Sequence, residues 1–148
     1  MQITFSLCLP RDASTVPIVR RVSRDALGLL GVKEECVQDI EVATSEACTN
    51  VLKHVENTSD QYEVQVEVGP EACSIRVVDS GDGFDSDRKT DEASDLSMTA
   101  EGGRGIFLMQ ALVDRLEFVS APDNGTVVHL LKKLDLEEGS VLRELEHF

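Results

Sequence analysis

Glu46-Ala-Cys-Thr-Asn50, Asp79-Ser-Gly-Asp-Gly83-Phe84 and Gly102-Gly-Arg-Gly105 follow one another in this order along a chain of 148 residues. The first places a carboxylate and an amide one helical turn apart. The second and third are glycine turns, where backbone without a Cβ can press against a phosphate-bearing ligand. Each is weak alone, and an Asp-Gly turn occurs in any β protein. Their shared order and spacing make them informative.

Around the first stretch, Glu46, Asn50 and His54 recur at intervals of four and share one stripe of a helix. The apolar stripe Ala43, Ala47, Val51 lies about 100° round the same helix. One side can therefore pack while the other addresses a cleft. Periodicity by itself favours a solvated polar face; the glycine boxes downstream reverse that weighting. Gly102, Gly103 and Gly105 stand just before a short apolar helix, where backbone N–H groups attract phosphate. Arg104, between them, is either a charged donor to a phosphate or a surface residue.

Farther out, residues 2–9 alternate as a strand, with Ile3, Phe5, Leu7 and Leu9 on one face. Helical spacing predicts helices over 14–30, weakened or ended by Gly28 and Gly31, and over 33–55. Tyr62, Val64, Val66 and Val68 form one strand face and Cys73, Ile75 and Val77 another, with Gly69-Pro70 turning a hairpin between them. Residues 85–101 are polar, acidic and aperiodic, a long loop for a small domain. A short helix over 104–113 precedes a terminal hairpin, 115–121 and 125–132, turned by Pro122-Asp123-Asn124-Gly125. A short acidic helix is expected within 136–147. Strand, two helices, two strands, loop, helix, two strands is the order of an α/β (α+β) two-layer sandwich. Its mixed, mostly antiparallel sheet is covered by helices, without alternating βαβ units.

Composition narrows the function classes. The length suits one domain, expected to span 1–148. Twenty-eight acidic against fourteen basic residues give a net charge of −14. Such a field opposes direct nucleic-acid binding, which rests on neutralising phosphates with Lys and Arg. No apolar run spans a bilayer, and Met1–Pro10 lacks the basic and long apolar regions of a signal peptide. A cytoplasmic protein without membrane contact is expected. Cys8, Cys36, Cys48 and Cys73 form no Cys-x-x-Cys pair and read as reduced core residues.

With the three boxes in view, the chain resembles the GHKL ATP-binding family (gyrase, Hsp90, histidine kinase, MutL). Within it the likeness is to the small anti-sigma factor serine/threonine kinases, from about residue 3 to about residue 132. The resemblance implies the GHKL, or Bergerat, fold. It also implies ATP and Mg²⁺ as cofactors. Asn50 would supply an amide oxygen to the metal, in keeping with its taste for oxygen ligands. Glu46 would orient or deprotonate the attacking hydroxyl. Asp79 would accept a hydrogen bond from the adenine amino group, with Gly81 and Gly83 letting the base sit against backbone. Thr126 would support adenine, and Gly102, Gly103, Arg104 and Gly105 would meet the phosphates. The loop at about 84–103 becomes a nucleotide lid. His54 matches a family position and is read as structural; Val55 and Glu56 follow it where the family often has a small residue and an aromatic. The implied partners are a sigma factor, held inactive, a STAS-domain anti-anti-sigma protein that is phosphorylated, and a second copy in a homodimer.

The alternative from another class is a nucleotide-gated protein-binding module without kinase activity. A detached histidine-kinase ATPase domain is disfavoured, since no phosphoacceptor helix pair or sensor segment is visible. Other nucleotide motifs fail: there is no Gly-x-x-x-x-Gly-Lys-[Ser/Thr]. Ser86 stands where a dinucleotide fingerprint needs its third glycine, and Thr90 where an EF-hand needs its own.

Overall fold

The computed structural model describes residues 1–53, 60–79, 103–121 and 125–145. Five strands, β1 (Ile3–Pro10), β2 (Gln61–Val68), β3 (Ala72–Asp79), β4 (Arg115–Ala121) and β5 (Gly125–Lys133), form one sheet in the order β1-β2-β3-β5-β4. Every pairing between them is antiparallel. Helices α1 (Val16–Leu29), α2 (Glu34–Leu52) and α3 (Gly103–Leu112) make the second layer, and a single turn, α4 (Val141–Glu144), closes the described chain. The result is the two-layer α/β sandwich of the GHKL ATPases.

Two neighbouring cross-strand rows show why the layers form. Phe5, Val66, Ile75, Leu130 and Leu116 lie opposite one another in register and face the helices. The adjacent row is Ser6, Gln65, Arg76, His129 and Glu117, on the opposite face. A period of two sends apolar and polar sets to different sides of the pleat. Burial pushes His129 below its usual value of 6.5, with Arg76 adding to the effect.

Helix α2 is the centre of the core. It buries Cys36, Val37, Ile40, Ala43, Thr44, Ala47, Cys48 and Val51 between α1, α3 and strands β3 and β5. Its small residues allow close approach to the sheet, and Glu34 and Glu35 complement the positive end of its dipole. Arg24 of α1 pairs with Glu34 and Glu41, tying the two helices side by side.

The expected boundaries shift at three places. The first helix begins at Val16, after a 3-10 turn at Ala13–Thr15, and ends at Leu29. Gly28 lies within it, while Gly31 makes the turn at φ 82°. A Cβ on Gly31 would meet the Ser140 backbone at 2.9 Å, so this turn also needs the absence of a side chain. The acidic helix expected within 136–147 shortens to α4, because Gly139 at φ 83° turns the chain just before it. For the second helix, α2 ends at Leu52 and His54 lies outside the described residues, as does most of the lid expected at 84–103.

Cys8 corrects the reading of the cysteines as a core set. It is exposed, whereas Cys36, Cys48 and Cys73 are buried. Leu7 and Leu9 point toward the helices, so the residue between them must point away. Burial pushes the Cys48 thiol up to about 12, and burial with help from Glu67 does the same for Cys73. A disulfide reagent added to native protein should therefore modify one of the four cysteines rapidly and the rest only on unfolding. Two or more thiols reacting together at the fast rate would contradict this placement.

Candidate nucleotide site

The carboxylate at the end of β3 is the least expected group in the core. Asp79 follows Cys73, Ile75 and Val77 on the inward face of its strand and is 0% exposed. Opposite it in the ladder stands Thr126 of β5, 3% exposed, which continues the inward face through Val128 and Leu130. A carboxylate at such depth needs a counter-charge. Arg11, immediately after β1, provides one: its Nη2 lies 2.8 Å from Asp79 Oδ2. The same nitrogen donates to the Val51 carbonyl at 3.2 Å, near the C-terminal end of α2.

Helix α2 supplies the second wall. Glu46 and Asn50 are half-buried on one stripe, while Cys48 between them faces the core. Glu46 Oε2 stands where the N-terminus of α3 approaches: a Cβ on Gly105 would lie 2.9 Å from it. Asn50 Nδ2 is buried and has no hydrogen-bond partner among the described residues. A buried amide in that state is suited to a group that the protein itself does not supply. Turning it about its last bond exchanges nitrogen for oxygen at the same place. No cluster of three or more His, Cys, Asp or Glu side chains that could hold a metal occurs among the described residues. A Mg²⁺ site does not need one, since that ion takes one or two protein oxygens and fills its shell with water and phosphate. The amide oxygen of Asn50 fits it.

The structure thus joins Asp79 with Thr126 and Glu46 with Gly105, and puts Asn50 on the stripe of Glu46. Gly103 opens α3 and Arg104 is exposed beside it. Gly81, Gly83 and Gly102 lie outside the described residues. Arg11 is the site residue that reading the sequence missed. A usable signal existed, because Arg11 continues the odd-numbered inward series Ile3, Phe5, Leu7, Leu9.

Comparison with known proteins gives the family. Residues 9–132 match the histidine kinase-like ATPase domain family. The chain belongs to that family. Within it, the chain is 29% identical to the serine-protein kinase RsbW of Bacillus velezensis, over 93% of this chain and 92% of the relative. It is 30% identical to the RsbW of Bacillus pumilus, over 87% and 85% of the two chains, and 28% identical to that of Bacillus subtilis, over 87% and 84%. The histidine kinase-like ATPase domain is the GHKL nucleotide-binding unit, and its match covers every box from Glu46 to Thr126. The chain is accordingly an ATP-binding protein serine/threonine kinase of the GHKL type and of the anti-sigma group. No helix among the described residues is long and apolar enough to cross a membrane.

Proposed function

We propose that this chain holds a sigma factor inactive and phosphorylates a Ser or Thr of a STAS-domain anti-anti-sigma protein, using ATP and Mg²⁺. The observation that carries this reading is the fully buried Asp79 facing Thr126, with Glu46 set against Gly105 at the N-terminus of α3. In it, Asp79 accepts from the adenine amino group and Thr126 supports the base. Gly81 and Gly83 let the base approach the backbone. The N-terminal turn of α3, with Gly103, Arg104 and Gly105, receives the phosphates together with Gly102.

Asn50 would hold the metal through its amide oxygen, and the metal would supply charge neutralisation for the phosphates. Glu46 takes the proton of the acceptor hydroxyl. The hydroxyl oxygen bonds to the γ-phosphorus as the bond to the bridging oxygen breaks, and ADP leaves. The relatives' name, serine-protein kinase, supports this reaction class. Sigma binding and the STAS substrate rest on the family resemblance, as does assembly into a homodimer of C₂ symmetry, the commonest closed arrangement. Light scattering at micromolar concentration should give the dimer mass; monomer mass alone, with and without nucleotide, would remove that part of the proposal.

The test of the whole is transfer of labelled γ-phosphate from ATP to a purified STAS-domain protein, beside a sigma-binding measurement. Transfer in the presence of Mg²⁺ supports the kinase. Sigma binding that depends on nucleotide, with no transfer to any STAS protein it binds, makes the chain a nucleotide-gated module instead.

Gly105 offers a sharper internal check. Its Cβ would crowd the flexible end of Glu46 and not backbone, so the fold can accommodate Ala. Ala also favours a helix over Gly by roughly 0.5–1 kcal/mol. Gly105→Ala should melt at or slightly above the wild-type temperature while transfer falls by up to about 10²-fold, the effect of a catalytic group misplaced by an ångström. Wild-type transfer in this variant would show that the position of Glu46 does not matter.

A further inference from the structure

We propose that Arg11 is a positioning residue that sets the base selectivity of the site by holding Asp79 as an ionised, acceptor-only carboxylate. This deepens the assignment of Asp79 to adenine and rests on it. Arg11 is anchored at both ends. Its backbone N–H donates to the Asp60 carbonyl at 2.9 Å, just ahead of β2. Its guanidinium, with only 16% of the side chain exposed, reaches Asp79 Oδ2 at 2.8 Å and the Val51 carbonyl at 3.2 Å. It therefore links the end of β3, which carries the base-binding group, to the helix that carries Glu46 and Asn50.

Arginine suits this place for three reasons. It stays charged at any working pH, and its planar fork offers several donors at fixed angles. The carbonyls in the last turn of α2 form the negative end of the helix dipole. One cation thus answers both the buried carboxylate and the helix end.

The consequence falls on the ligand. A carboxylate held ionised can only accept, and it has capacity for donors beyond one guanidinium nitrogen. A 6-amino purine presents a donor to it. A 6-oxo purine presents an acceptor, and two acceptors facing each other in a buried site are left unsatisfied at a cost. Without Arg11, a protonated Asp79 could donate to the 6-oxo group, and the site would lose its reason to prefer adenine. Inosine triphosphate differs from ATP at this edge of the base and is the appropriate probe.

The experiment measures dissociation constants for ATP and inosine triphosphate by calorimetry in wild type, R11M, R11K, D79N and R11M/D79N, each with a thermal melt. R11M should weaken ATP binding roughly 10- to 100-fold, the loss expected when a hydrogen bond to a charged group goes wrong. Its ATP-to-inosine-triphosphate preference should narrow by a similar factor. R11K, which keeps the charge but not the fork, should retain more of the preference than R11M. Because Arg11 acts through Asp79, the double variant should bind ATP no more weakly than D79N alone.

A preference unchanged in R11M, with both nucleotides weakened equally or not at all, would overturn the proposal. So would additive losses in the double variant. If R11M does not fold, R11Q takes its place and must narrow the preference several-fold; a wild-type ratio there overturns the proposal equally. D79N binding ATP as tightly as wild type would remove the adenine assignment itself. D79N weakened beside an unaffected R11M would remove only the role of Arg11.

Discussion

Asp79→Asn is expected to weaken ATP binding by roughly 10- to 150-fold, the range set by about 1.5–3 kcal/mol for a hydrogen bond to a charged group. The variant keeps the size of the side chain and one acceptor oxygen but loses the charge. It is also expected to lower stability, because Asp79 is fully buried against Arg11. Stripping one partner from a buried pair costs about 3–5 kcal/mol. Asn can still accept from the guanidinium, so the loss should fall at or below the lower end of that range. The two effects separate in one pair of measurements. Melting without nucleotide reports the ion pair, and calorimetry at a temperature where the variant is folded reports the base. An unchanged ATP affinity would contradict the placement of adenine at Asp79.

Glu46→Gln should have the opposite profile. The side chain keeps its length and its place beside Gly105 but cannot take a proton. ATP binding should survive within a few-fold, while transfer to a STAS-domain partner falls by roughly 10²–10⁴-fold, the usual contribution of a positioned base. Sigma binding should persist, because holding a partner requires the nucleotide-bound shape and not the chemistry. Asn50→Ala is the control. With the proposed metal ligand gone, Mg²⁺-dependent affinity and transfer should fall together. Wild-type transfer by Glu46→Gln would take the catalytic role from this residue.

Much of this site was legible from particular residues. The interval from Glu46 to Asn50 settles their common face, because helical geometry leaves no choice. The alternation Cys73, Ile75, Val77 settles that Asp79 faces inward, if the period of two is carried one step farther than the apolar residues themselves. The same extension applies from Leu9 to Arg11. Composition argues the other way there, because a charged residue after a strand usually starts a solvated turn. Cys8 was misread for a related reason. Composition favours a buried cysteine, but the phase of β1 had already placed it on the other face.

The sequence by itself determined what depends on short-range periodicity and on backbone chemistry: the element order, the strand faces, the core side of α2 and the Gly69-Pro70 hairpin. These follow from fixed rotations per residue and from the freedom of glycine, and they need no knowledge of what lies across the molecule. Only the tertiary structure decided the pairings between distant segments. It brought Arg11 from the end of β1 to Asp79 at the end of β3, set Thr126 opposite Asp79, and laid the N-terminus of α3 against Glu46. Those contacts depend on sheet order, and β5 inserts between β3 and β4 to give β1-β2-β3-β5-β4. No local signal encodes that order, because it is selected by how the apolar faces of all five strands and three helices can be buried at once.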